Sequence, residues 1–156
     1  MPVLTRAAAA AWADRIHAAG RTIVFTNGVF DLLHPGHVRY LAEARAHGGA
    51  LIVAVNSDRS VRAIRGPARP VTAEHERAEV LSALAAVDAV VIFDEDDPHA
   101  VIADIQPDIL VKGADWAADR IIGRDIVESR GGRVIRIAFA PGFSTTSMIE
   151  KIRNRA

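Results

Sequence analysis

The chain contains no cysteine, which excludes disulfides, thiolate metal sites and a cysteine nucleophile. A reducing cytoplasm suits that composition, and a cytoplasmic location is the expectation. Long apolar runs are missing too. The longest, Ala7 to Ala13, holds too few strongly apolar side chains to span a bilayer. The opening residues Met1 to Arg6 lack the basic-then-apolar layout of a secretion signal. Net charge is absent as well. Nineteen basic and nineteen acidic residues cancel, so no global field draws the chain to nucleic acid or an anionic membrane. A polyanionic ligand has to be met by local groups. There is no internal repeat and no second hydrophobic pattern. The 156 residues fit one domain, 1–156, with an ample core.

What is present is alternation. Five apolar runs read as strands: Thr22–Phe25, Leu51–Val55, Ala89–Phe93, Ile109–Val111 and Val134–Ala138. Rich in Val and Ile and mostly not alternating, they suit strands covered on both faces. Between them, Thr72 is placed to cap a helix to about Ala86, with Val80, Leu81, Leu84 and Val87 on its inner face. Asp97-Pro98 starts another helix, stopped by Pro107, and a further one spans about Ile121 to Ser129. Ser144 caps a last helix through Arg153. The pattern predicts a single α/β, Rossmann-like domain with a five-stranded, mainly parallel sheet flanked by helices. Ligands in such sheets sit beyond the carboxyl ends of the strands, where the strand order reverses.

One stretch carries chemistry. Thr26-Asn27-Gly28-Val29-Phe30-Asp31-Leu32-Leu33-His34-Pro35-Gly36-His37 joins the first predicted strand to a helical pattern. Pro35 suits the first helical position, because its missing N–H would be unpaired there anyway. His34 then falls at the N-cap and His37 one turn in, near free amides and the positive end of the helix dipole. Gly28 and Gly36 let the backbone approach a ligand closely. A loop of this kind is suited to phosphates. A metal triad of Asp31, His34 and His37 is the alternative, disfavoured because a helix N-terminus repels a cation. Ser144-Thr145-Thr146 opens a second helix after a glycine, again bringing hydroxyls and free amides together. Lys112, at the end of a buried strand, is costly to leave unpaired and is expected to face the crevice.

The N-G-V-F-D-x-x-H-P-G-H stretch resembles the H-x-G-H signature of the cytidylyltransferase-like nucleotidyltransferases. With Val53–Asp58, Arg65–Val71, Glu76-Arg77, Leu110–Trp116 and Gly142–Thr146, the chain is most similar to the branch that makes ADP-heptose. Those adenylyltransferases join ATP and heptose 1-phosphate for the lipopolysaccharide core. The resemblance implies catalytic roles for His34, His37 and Lys112. It implies nucleotide contacts from Thr26, Asn27, Gly28, Val29, Phe30, Gly36, Arg65, Gly113, Ser144, Thr145 and Thr146. Asp31, Asn56 and Asp58 are implied to bind substrate, and no resident metal is implied. ATP with Mg²⁺ is the expected co-substrate, and sugar phosphate the acceptor. Family members often carry a sugar kinase domain, for which this chain has no room.

Several points stay open at this level. Relatives commonly place a lysine where this sequence reads Arg45, and Arg62, Arg69 and Trp116 have no assigned role. A homo-oligomer is expected by family likeness; Trp12 and Ile16 could serve a neighbour or their own core. A cytidylyltransferase for glycerol 3-phosphate is the runner-up, although its R-T-E-G-I lead-in to S-T-T is replaced by Phe139–Phe143. A non-catalytic nucleotide-binding module is the third reading, permitted by fold alone.

Overall fold

A computed structural model describes residues 3–156; Met1 and Pro2, inside the expected 1–156 domain, lie outside the described residues. The elements run β1 (Val3–Leu4), α1 (Arg6–Ala18), β2 (Ile23–Gly28), α2 (Pro35–Ala46), β3 (Ala50–Asn56), α3 (Asp58–Arg65) and α4 (Glu74–Ser82). They continue as β4 (Ala89–Phe93), α5 (His99–Ile105), β5 (Ile109–Gly113), a 3₁₀ turn (Ala118–Arg120), α6 (Arg124–Ser129), β6 (Arg133–Ile137) and α7 (Thr145–Arg155). The sheet order is β1-β4-β3-β2-β5-β6, parallel throughout. Six strands correct the expected five. The addition is Val3–Leu4, which pairs with Val90 and Val91 at one edge and is too short to show any periodicity.

Branched aliphatics make this sheet because both of its faces are covered. All seven residues of β3 are buried. Along β2, Phe25 joins a core with Trp12, Ile52 and Leu110 on one face. Its neighbour Val24 joins Leu41, Val53 and Leu81 on the other, as the period of two requires. Each such side chain contributes about 1.5–3 kcal/mol by leaving water. Trp12 and half-buried Ile16 pack in their own domain's core, which resolves that alternative.

Helices α4 and α6 are shorter than their apolar patterns suggest. Helix α4 follows Ala73 rather than Thr72, and Glu76 accepts from the Ala73 N–H at 3.0 Å in place of a hydroxyl cap. Its inner face is Arg77, Ala78 and Leu81, while Val80 points outward, 49% exposed. Helix α6 starts only at Arg124, after Gly123 at φ +91°. Ser144 does cap α7, its hydroxyl accepting the Ser147 N–H at 3.0 Å. Among the described residues no helix is long and apolar enough to cross a membrane.

Function turns on β2. It pairs with β3, the next strand in the chain, on one side and with the much later β5 on the other. Strand order reverses there, so a crevice opens between the carboxyl ends of β2 and β5.

Candidate active site

Strand β2 delivers Thr26, Asn27 and Gly28 to this rim. The loop beyond it is strained: Phe30 and Leu32 have φ of +51° and +48°, a left-handed conformation costing a non-glycine residue about 1–3 kcal/mol. His34 follows as the extended N-cap of α2, with Pro35 at the first helical position, as its place in the sequence predicts. One turn later His37 stacks on His34, ring centroids 3.7 Å apart and 20° between planes.

The two rings are electrostatically distinct. The His34 N–H faces the His37 Nδ1 at 3.4 Å. This assigns the His37 proton to Nε2, which is left as a donor. His34 is 8% exposed, and its Nδ1 is buried with no hydrogen-bond partner. An orphaned buried nitrogen beside free amides is a place for a ligand. Gly36 makes room for this ring: a Cβ there would lie 2.9 Å from the His34 Nδ1 and 3.0 Å from the Phe143 Cβ. Burial lowers the His37 pKa to about 4, helped by the neighbouring His34 and opposed by Asp31. Burial also lowers that of His34. Both imidazoles are therefore neutral donors at pH 7 until an anion arrives.

Across the crevice, Lys112 is the penultimate residue of β5, where burial lowers its pKa to about 8 against the opposing pull of Asp115. Its ammonium lies 5.1 Å from the centroid of the exposed Trp116 ring. At the start of α7 the Thr145 hydroxyl donates to the Asp31 carbonyl at 2.7 Å, and Thr146 is exposed. Phe143 stacks on His34 at 6.2 Å and carries the Arg39 guanidinium 5.3 Å above its ring. The strand-end lysine, the paired histidines and the hydroxyl cluster thus lie around one crevice.

Other expected site residues are engaged within the protein. Thr26 donates to the Val111 carbonyl at 3.0 Å and meets the Tyr40 hydroxyl at 2.8 Å. Its side chain is a tie between β2, α2 and β5, not a phosphate contact. The Asp31 carboxylate accepts four hydrogen bonds, from the Val71 N–H, the Thr72 N–H and hydroxyl, and Arg69 Nε. A carboxylate has about four lone-pair sites. Asp31 therefore has none left for substrate or metal, which removes both its substrate-binding role and the metal triad. Asn56 is buried and donates to the Ser60 hydroxyl at 2.9 Å. Asp58 accepts from Arg77 at 2.8 Å. Arg45 binds Asp88 at 2.7 Å and the Gly48 carbonyl at 2.7 Å, at the amino end of the sheet. It cannot replace a lysine at the phosphates. Asn27 is different, because its side-chain oxygen is buried without a partner. Arg62 and Arg65 are exposed near the end of α3.

Arg77, part of the Glu76-Arg77 likeness but given no role by it, is a structural residue. Only 2% exposed, it donates to the Val29 and Thr72 carbonyls at 2.6 and 3.0 Å and to Asp58. Its spacing of four from Leu81 was the available signal, since it places Arg77 on the inner face of α4. A shallow cavity of about 640 Å³ lies elsewhere, against Arg6, Arg59, Ile92, Asp94 and Glu95. Its charged side chains pair with one another, Arg6 with Glu95 and Arg59 with Asp94. The unpartnered polar atoms point instead to the β2–β5 crevice.

The cytidylyltransferase-like family model matches residues 25–151, which include the H-x-G-H loop, Lys112 and Ser144 to Thr146. The chain belongs to that family. Among curated relatives of this cytidylyltransferase-like domain, the bifunctional protein HldE of Syntrophotalea carbinolica is 53% identical over 87% of the chain and 28% of its own length. That of Geotalea uraniireducens is 55% identical over 86% of the chain and 27% of its length. The chain thus spans little more than a quarter of these relatives. Among solved structures, the lipopolysaccharide core biosynthesis protein of Thermoplasma volcanium is 31% identical, with a TM-score of 0.67. The match covers 78% of the chain and 99% of that protein. Pantothenate synthetase of Thermus thermophilus, 16% identical with a TM-score of 0.65, shares the fold.

Proposed function

We propose that this domain transfers the adenylyl group of ATP to D-glycero-D-manno-heptose 1-phosphate, giving ADP-heptose and pyrophosphate for lipopolysaccharide core synthesis. The observation that carries the reading is the meeting of the H-x-G-H loop, Val111-Lys112-Gly113 and Ser144-Thr145-Thr146 around one crevice. The relatives named HldE and the lipopolysaccharide core protein support the choice of sugar. ATP enters as its magnesium complex, with the ion held by phosphates and water. A cytoplasmic location and a homo-oligomer belong to the same reading.

In this reaction an oxygen of the sugar phosphate attacks the α-phosphorus of ATP. The bond from that phosphorus to the bridging oxygen breaks, and pyrophosphate carries away the electron pair. The attacking oxygen is already anionic at pH 7, so no protein base and no covalent adenylyl-enzyme is needed. What the protein supplies is alignment and charge stabilisation. The His37 Nε2–H and His34 donate to phosphate oxygens. Lys112 places a cation at the far wall, and the start of α7 offers the amides of Thr145 and Thr146.

The test is pyrophosphate release with ATP or CTP, each offered with heptose 1-phosphate and glycerol 3-phosphate. ATP with the heptose is expected to be fastest. Preference for CTP with glycerol 3-phosphate would move the domain to the other branch. Since the Lys112 pKa lies at about 8, kcat/KM falls as pH rises through that value and the ammonium is lost. Lys112→Arg moves this limb to higher pH; an unmoved limb counts against a cationic role for Lys112.

A further inference from the structure

Residues 66–73, a strap between α3 and α4, meet the H-x-G-H loop at a single carboxylate. Asp31 Oδ1 accepts from the Thr72 N–H at 3.1 Å and the Thr72 hydroxyl at 2.9 Å. Asp31 Oδ2 accepts from the Val71 N–H at 2.8 Å and Arg69 Nε at 3.0 Å. The Asp31 side chain is 0% exposed and that of Arg69 is 17% exposed. Phe30 and Leu32, on either side of Asp31, both hold left-handed φ, and the Asp31 carbonyl receives Thr145 of α7. One residue therefore joins the loop, the strap and the last helix.

Arg69 gives Asp31 only its Nε. Among the described residues neither of its Nη groups has a hydrogen-bond partner, and a guanidinium fork suits phosphate oxygens. We propose that Asp31 is a positioning residue of this site: it locks the strained H-x-G-H loop to the strap and turns the Nη face of Arg69 toward the substrate phosphates. Burial by itself raises the Asp31 carboxyl pKa, but the donors from Val71, Thr72 and Arg69 hold it below its ordinary 3.8. The clamp therefore stays ionised at neutral pH. Its kinetic arm rests on the adenylyl-transfer reading, whereas its structural arm does not.

The experiment uses the full chain with Asp31→Asn, Asp31→Ala, Arg69→Ala and the Asp31→Ala/Arg69→Ala double variant. Trypsin cleavage at Arg65–Gly66, followed by mass spectrometry, reports release of the strap without reference to activity. In Asp31→Asn an amide NH₂ replaces one oxygen and faces two donors. Cleavage is expected to quicken by ~10-fold and kcat to fall by ~10²-fold through misplacement of the loop. Arg69→Ala is expected to raise KM for ATP by ~10-fold. Adding it to Asp31→Ala should change KM no further, because Arg69 is already misdirected. Wild-type cleavage in Asp31→Asn, or full additivity in the double variant, would overturn the proposal.

Should Asp31→Ala fail to fold by circular dichroism, Thr72→Val carries the test, since it removes one of the four bonds. Strap release at the wild-type rate in that variant also counts against the clamp. If the unaltered protein releases no pyrophosphate with any nucleotide while Asp31→Asn still frees the strap, the reaction fails and the clamp stands.

Discussion

The two flanks of the crevice are built on opposite principles. From Asp31 to Arg77, the strap flank is held by buried charged groups whose hydrogen bonds reach backbone on two segments, the strap at Val71 and Thr72 and the loop at Val29. Helix α7, on the other flank, has no buried residue. It is joined to the crevice by one hydroxyl bond from Thr145 and by the Phe143 ring against His34. Buried charge lost from its partner is expensive, and an exposed helix is not. The strap flank therefore fixes geometry, while the α7 flank can add ligand contacts at little cost to the fold.

The largest effect should come from Arg77→Ala, which leaves the Val29 and Thr72 carbonyls unpaired. A loss of about 3–5 kcal/mol is expected in urea unfolding. Ile152→Ala on α7, 62% exposed, should change stability by under about 0.5 kcal/mol. Equal costs would erase the contrast between the flanks.

Next are the histidines between the two flanks. His34→Ala and His37→Ala should each lower kcat by at least ~10²-fold while the protein stays folded; near-normal turnover in both would remove them from the chemistry. His37 adds a pH signature. Its folded pKa of about 4 lies below its ordinary 6.5, so the unfolded chain binds more protons between those values. Stability contributed by neutral His37 is intact above pH 6.5 and lost as pH falls toward 4. Thermal melts of His37→Gln should show a shallower acid decline than the wild type.

The smallest kinetic effect is expected for Thr145→Val. It removes the α7 bond to the Asp31 carbonyl, worth about 1 kcal/mol, and should raise KM for ATP several-fold with kcat nearly unchanged. A kcat loss matching that of the histidine variants would make α7 part of the rigid machinery after all.

The sheet was legible because Val, Ile and Leu at β2, β3 and β4 leave no other economical fold, and Pro35 after His34 marks a helix start by backbone chemistry alone. The paired histidines and the Ser144 cap were readable for the same local reason. What escaped was long-range polar pairing. Thr72 has the character of a cap, yet its hydroxyl serves Asp31 across 41 positions. Asp31 and Asp58 resemble ligand-facing carboxylates, but their partners Arg69 and Arg77 come from elsewhere in the chain. Arg45 was ambiguous until its tie to Asp88 placed it at the far end of the sheet. Local spacing tells what a residue can donate or accept; it does not tell which distant group arrives to meet it.

The Asp31 junction also bears on the order in which the molecule assembles. Its bonds join residues separated by 38, 40 and 41 positions, and the Thr145 bond spans 114. Such contacts form only after long loops have closed against their entropy. Helix α2 can take shape from neighbouring residues, but the left-handed turns at Phe30 and Leu32 have no local reward. The histidines are therefore carried early by their helix and aimed late, when the strap and the last helix reach the same aspartate.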